Sequence, residues 1–228
     1  MNTRGLLDQL LKSGQELLNK QPGAGKPSAG AGGLGGLLSG AGAGALGAGA
    51  LGLLLGSKKA RKYGGKALTY GGLAALGVLA YKAYGNWQAR QGTGQGAEPQ
   101  TLDRLPPAQA EQHSQAVLRA LVAAAKSDGH IDERERALIE GEFTRLDNDR
   151  DLQHWLHDEL NKPLDPAEVA RAAQTPEMAA EMYLASVMMV DQENFMERAY
   201  LDELARQLRL DPALRQELES QVRLAAGQ

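Results

Sequence analysis

Between Gly30 and Gly56 the chain carries no charge and contains only Gly, Ala, Leu and one Ser. A small residue recurs at every fourth position: Gly32, Gly36, Gly40, Gly44, Ala48, Gly52 and Gly56. On a helix this spacing sets the small residues in one row, with Leu on the other faces. Such a row lets two helix backbones approach closely, which is how helices associate in lipid. In water each glycine costs a helix about 1 kcal/mol relative to Ala. The stretch is therefore a membrane helix or a flexible linker.

The next segment of the chain bears on that choice. The run Ala67 to Tyr81 is apolar and uncharged, but it is only 15 residues long. A span needs about 20. Lys66 and Lys82 can carry their heads to the interface while their stems stay in hydrocarbon. Tyr63, Tyr70, Tyr81, Tyr84 and Trp87 lie at or near the two ends, as interfacial anchors do. The expectation is a transmembrane helix over 66–87. The competing reading is a buried apolar helix of a globular domain, and no amphipathic partner helix adjoins the run in sequence.

Charge divides the chain in the same place. Residues 1–97 hold eleven Lys/Arg against two Asp/Glu, a net of +9. Residues 98–228 hold fourteen against twenty-six, a net of −12. The cluster Lys58, Lys59, Arg61, Lys62 and Lys66 suits a segment facing anionic headgroups. The basic half is too rich in Gly and apolar residues for a nucleic-acid arm, and the acidic half should avoid nucleic acid. With no cysteine, disulfides, thiolate metal sites and a Cys nucleophile are excluded.

Composition then sets the organisation. Residues 1–29 read as a short amphipathic helix, with Leu6, Leu7, Leu10, Leu11, Leu17 and Leu18 on one side, and a linker. Residues 30–65 hold the glycine row and the basic stretch, 66–87 the expected span, and 88–105 a second linker. Residues 106–228 form an acidic domain whose pattern is helical throughout, so the fold class is all-α with about seven helices in this domain.

Its helix starts are legible. Pro106-Pro107 opens a helix with Val117, Leu118, Leu121, Val122 and Ala125 on its apolar face. Asp132 with Glu135 is a capping box for a helix burying Ile139, Phe143 and Leu146. A third helix covers about Asp149 to Leu160. Asp165-Pro166, Thr175-Pro176 and Asp211-Pro212 each set an N-cap before a proline at the first helical position. Asn194 with Glu197 is a second box, ahead of Tyr200, Leu201, Leu204 and Leu208. The methionines from Met178 to Met196 read as adaptable core filler.

The domain repeats itself weakly. Residues 121–139 align with 183–201, so that Asp132 matches Asn194 and Glu135 matches Glu197. In both, an apolar helix ends in an acidic turn and a capping box opens the next. Two such pairs can pack about a pseudo-twofold axis, which would bring the acidic turns together. Asp128, Asp132, Glu135, Asp191, Glu193 and Glu197 supply hard oxygens suited to Ca²⁺ or Mg²⁺. The spacing is not that of an EF-hand loop, and the box residues already have structural work as caps.

No enzyme pattern emerges. Gly30-x-Gly32-x-x-Gly35 and Gly42-x-Gly44-x-x-Gly47 match the dinucleotide fingerprint only formally, because neither follows a strand. His154 and His157 share a helix face beside Asp158, but no third zinc ligand is in view.

The run Ala125-Lys126-Ser127-Asp128-Gly129-His130-Ile131-Asp132-Glu133-Arg134-Glu135 resembles the tellurite-resistance TerB-like domain, an all-helical fold. The run Val190 to Ala205 is similar to the YebE-type family of bacterial inner-membrane proteins of unknown function, as is the layout of the whole chain. The resemblance implies no assigned reaction, an inner-membrane location, a link to envelope stress, and divalent-metal binding through acidic residues. Gln192-Glu193 stands where a symmetric pattern would have Asp-Gly.

The expected function is a non-enzymatic, inner-membrane-anchored interaction or scaffold protein. Its partners are the bilayer and either a second copy or a membrane protein, met through the glycine face. The alternative is a divalent-cation sensor using the acidic turns. The positive-inside bias places the C-terminal domain in the periplasm.

Overall fold

The computed structural model describes residues 3–5, 7, 72–92, 98–129, 137, 139–141, 144, 149–190 and 194–227. Every regular element among these residues is helical. The helices are α1 (Gly72–Arg90), α2 (Pro107–Ala125), α3 (Arg150–Asn161), α4 (Pro166–Ala170), α5 (Pro176–Met189), α6 (Phe195–Gln207) and α7 (Pro212–Gly227). Residues 137, 139–141 and 144 are also helical, and Ile139 is buried.

The helices begin where a short polar side chain meets free amides. Asp149 accepts from Asp151 and Leu152, Asp165 from Ala167, Thr175 from Met178 and Asn194 from Met196. The Asp211 carboxylate accepts from Ala213 and Leu214 at the head of α7. Each such cap contributes about 1 kcal/mol.

Helix α5 is the axis of the bundle. It is apolar almost all round, so it can only be stable when surrounded. Every residue from Met178 to Met189 is buried, and α1, α2, α6 and α7 all pack on it. Met178, Met182, Met188 and Met189 fill the core, whereas Met196 is exposed. Helix α3 packs on α2, and α4 packs on α2 and α6.

One carboxylate lies inside this axis. Glu181 has no exposed surface. Its Oε2 lies 2.6 Å from His113 Nδ1 on α2, and its Oε1 accepts the Leu102 amide at 2.5 Å. Burial pushes the Glu181 carboxyl above the usual range, against the opposing pull of the His113 and Leu102 hydrogen bonds. The contact ties residues 98–105, with buried Thr101 and Leu102, to both α2 and α5.

Helix α1 corrects the reading of a transmembrane helix over 66–87. Among the described residues no helix is long and apolar enough to cross a membrane. The described part of that segment packs on α7 and α5. Leu76, Ala80, Ala83 and Tyr84 are buried there. Tyr84 and Trp87 meet edge to face at 5.2 Å instead of flanking a bilayer. Asn86 Nδ2 donates to Glu217 Oε1 at 2.7 Å, and Arg90 pairs with Glu217 Oε2 at 3.1 Å. The amphipathic partner does exist, but it is α7, more than a hundred residues along the chain. Residues 101–103 also lie close on α1. A Cβ at Gly77 would stand 2.6 Å from Asp103 Oδ1 and 2.9 Å from the Asp103 amide nitrogen.

The first residues join the same bundle. The Thr3 amide donates to Glu111 Oε1 at 2.5 Å and the Arg4 amide to Glu111 Oε2 at 3.1 Å. The Thr3 hydroxyl donates to the same carboxylate, and Leu7 is fully buried. The glycine row and the basic cluster lie outside the described residues.

Candidate functional site

Two tight turns and the end of α1 enclose a groove of about 660 Å³. The α4–α5 turn supplies Ala170, Arg171, Ala173 and Thr175, and the α6–α7 turn supplies Leu208, Arg209, Leu210 and Asp211. Tyr84 and Trp87 of α1 form the third wall. The floor is apolar and mostly alanine, with Ala167 and Ala179 beside Leu214. The volume is that of an ordinary small-molecule site.

The α6–α7 turn is built in an unusual way. Leu208 caps α6, the Arg209 amide donates to Arg206 O, and the Leu210 amide donates to Ala205 O, both at 3.1 Å. This is a Schellman ending, whose left-handed position is usually glycine. Here it is Arg209, at φ 54°, alone among the described non-glycine residues in having a positive φ. A side chain in that conformation costs roughly 1–2 kcal/mol.

Charge in the groove differs from that of the acidic domain around it. Arg171 and Arg209 line it, and among the described residues neither guanidinium has a hydrogen-bonding or ion-pair partner. Elsewhere Arg90, Arg104, Arg119, Arg206 and Arg215 each face a carboxylate, whereas Arg150 and Arg198, like the groove pair, have no such partner among the described residues. The carboxylate lining the groove, Asp211, is occupied: it caps α7 and accepts Trp87 Nε1 at 3.0 Å. Burial pushes it up, and the amides of Leu214 and Ala213 with the Trp87 indole overcome this and hold it below the usual carboxylate range.

The six acidic residues singled out from the sequence divide. Asp128 is half-buried at the end of α2, and Glu197 is buried on the first turn of α6 with Asn194 Nδ2 at 3.5 Å. Asp132, Glu135, Asp191 and Glu193 lie outside the described residues. Among the described residues no three potential metal ligands gather. The two turns do adjoin: a Cβ at Gly129 would lie 3.5 Å from Met196 Cε. His154 and His157 are exposed, and His157 Nδ1 lies 2.8 Å from Glu140 Oε1.

Sequence reading missed the groove. Arg171 and Arg209 are distant in sequence and match no motif. One signal was present: Leu208-Arg209-Leu210 separates the last turn of α6 from the Asp211 cap with no glycine to make the reversal.

The chain is 35% identical over 126 residues to the "Uncharacterized protein in ampR 5′ region" of Yersinia enterocolitica, covering 55% of this chain and 89% of the relative. No solved structure matches it. The model of the family described as "Protein of unknown function (DUF533)" matches residues 24–222. With an all-helical bundle, capped starts and a match of that extent, the chain belongs to DUF533, a TerB-like family.

Proposed function

We propose that this chain is a non-enzymatic interaction protein of the bacterial inner membrane, of the YebE type and linked to envelope stress. The bundle offers its groove to a partner. The observation that carries the reading is the groove itself: an open, mostly apolar trough with an aromatic wall, lined by Arg171 and Arg209, whose guanidinium groups have no hydrogen-bonding or ion-pair partner among the described residues. Membrane association rests on the row from Gly32 to Gly56 and the cluster from Lys58 to Lys66. Copies are joined through the glycine row.

Flotation tests the attachment. The full chain should rise with vesicles containing phosphatidylglycerol, and a chain lacking 30–66 should stay below; if both stay below, membrane attachment fails. Gly40→Leu or Gly44→Leu should weaken crosslinking between copies on those vesicles, while Leu37→Ile should not. A cysteine at Ala213, labelled in intact cells by an impermeant maleimide, would place the bundle in the periplasm. Labelling only after lysis places it in the cytoplasm.

The adjacency of Gly129 and Met196 favours a second reading, a divalent-cation sensor at the two acidic turns. The full chain should then melt higher in millimolar Ca²⁺ or Mg²⁺ than in chelator. Asp128→Asn with Asp191→Asn should remove that rise. Identical melting in all three solutions rejects these ions.

A further inference from the structure

We infer that the groove binds a single-chain amphiphile with a carboxylate head, a fatty-acid-like ligand. This rests on the groove being the binding place and names what fills it.

Three observations converge. The first is the lining. Ala167, Ala170, Ala173 and Ala179 line the groove with small apolar side chains. Such a lining suits an unbranched chain better than the side-chain knobs of a peptide. Tyr84 and Trp87 add flat apolar area along one wall.

The second is charge. The groove-lining ionised groups are Arg171, Arg209 and Asp211, a net of +1. Glu177, on the first turn of α5, acts on the Tyr84 hydroxyl but does not line the groove. A monoanionic carboxylate matches this balance. A phosphate head carries about −1.5 to −2 at neutral pH and meets the Asp211 carboxylate with correspondingly more repulsion. The chain's own N-terminal half, with its net charge of +9, is the wrong sign for a rim of arginines. Guanidinium forks hold carboxylates in a bidentate way, and among the described residues both here lack another partner.

The third is Arg209 itself. A glycine would make the same turn without the strain of a left-handed side chain. Strain at a groove rim points to a use for the side chain that bears it. That separates the functional from the structural account: Arg209→Gly should leave the fold at least as stable and still lose the ligand.

The test is calorimetric titration of the full chain with laurate below its micelle concentration, alongside dodecyl phosphate, dodecyltrimethylammonium, butyrate and an acidic leucine-containing peptide. The expected result is one laurate per chain, weakened at least tenfold by Arg171→Gln and by Arg209→Gly. Melting of both variants should be no lower than that of the parent. Butyrate should bind at least tenfold more weakly than laurate, and the cationic amphiphile should not compete. Tighter binding of dodecyl phosphate or of the peptide than of laurate overturns the ligand class while leaving the groove as the binding place. Laurate binding unchanged in both variants, or matched by the cationic amphiphile, overturns the proposal. If Ala173→Trp, which fills the trough, leaves binding of every probe intact, the groove is not the binding place and the underlying reading fails with it.

Discussion

Helices α1 and α5 look alike as strings and behave differently as parts. Each is built on a long apolar run, and α5 interrupts its run with a carboxylate, Glu181, whereas Ala67 to Tyr81 has no charge. By absence of charge alone, the run that leads into α1 is the better membrane candidate. In the fold α5 is the more deeply enclosed of the two. Helix α1 buries one stripe and spends its polar end on hydrogen bonds to α7. An apolar run states a need for cover and not what provides it. What provides it is decided by where the polar groups at the ends of the run find partners. Asn86 and Trp87 find carboxylates of the acidic domain. Glu181 finds a histidine and an amide within the core.

The largest loss of stability is expected at α5. Glu181→Ala leaves the His113 ring and the Leu102 amide buried without their partner. Removing one partner of a buried pair costs about 3–5 kcal/mol. Urea unfolding should show that loss, and a midpoint within error of the parent would mean that the pair is not closed in solution.

Next comes the seam between α1 and residues 101–103. Gly77→Ala drives a Cβ into Asp103, including its backbone nitrogen, which cannot swing away. The expected cost is about 1–3 kcal/mol, as for overpacking elsewhere. Ala is the better helix former, so an unchanged or raised melting temperature would show that the seam is open.

Acid should then separate the two helices. The Asn86 amide, opposed by burial and helped by Gln221 and Arg90, holds the Glu217 carboxyl below its ordinary value. Asp211 is held low as well. A depressed carboxylate contributes stability above its unfolded pKa and loses it as pH falls through the folded one. Both contacts join α1 to the head and body of α7. Glu181 has the opposite sign, since its raised carboxyl contributes stability at low pH that is lost as pH rises through its folded value. Below about pH 4, α1 should therefore loosen while α5 stays packed. In a Trp155→Phe background, Trp87 emission should shift to the red before far-ultraviolet dichroism falls. Simultaneous loss of both signals would make α1 an inseparable part of the core.

The smallest effect belongs to Arg209→Gly. Relief of the left-handed position contributes about 1 kcal/mol. The freer unfolded chain takes back roughly half of that or more. The net change should be a few tenths of a kcal/mol in favour of glycine, or nothing. A clear loss in thermal melting would show that the Arg209 side chain supports the turn, and would remove the strain argument for ligand binding.

Local chemistry made much of this fold legible in advance. Asp165, Thr175, Asn194 and Asp211 were readable as caps because a cap is a contact between near neighbours, whereas Asp149, read as the first residue of its helix, proves to be the cap. The methionines of α5 were readable as core because no face of that helix is polar enough to meet water. The span over 66–87 was misread because its test was the absence of an amphipathic neighbour, and neighbourhood in sequence is not neighbourhood in space. The groove was invisible for the same reason: it exists only where the 167–176 and 207–211 turns meet the end of α1.

The amino-acid order by itself determined the all-helical class, the places where most helices begin, and the separation of a basic glycine-rich half from an acidic one. These come from short-range hydrogen bonding, backbone preference and side-chain periodicity, which act over a few residues. Tertiary structure alone decided that α1 belongs to the bundle, that Glu181 is buried against His113, and that Arg171 and Arg209 share one trough. Each is a pairing between distant segments, and a pairing is selected by the joint burial of both surfaces and the satisfaction of both sets of polar groups.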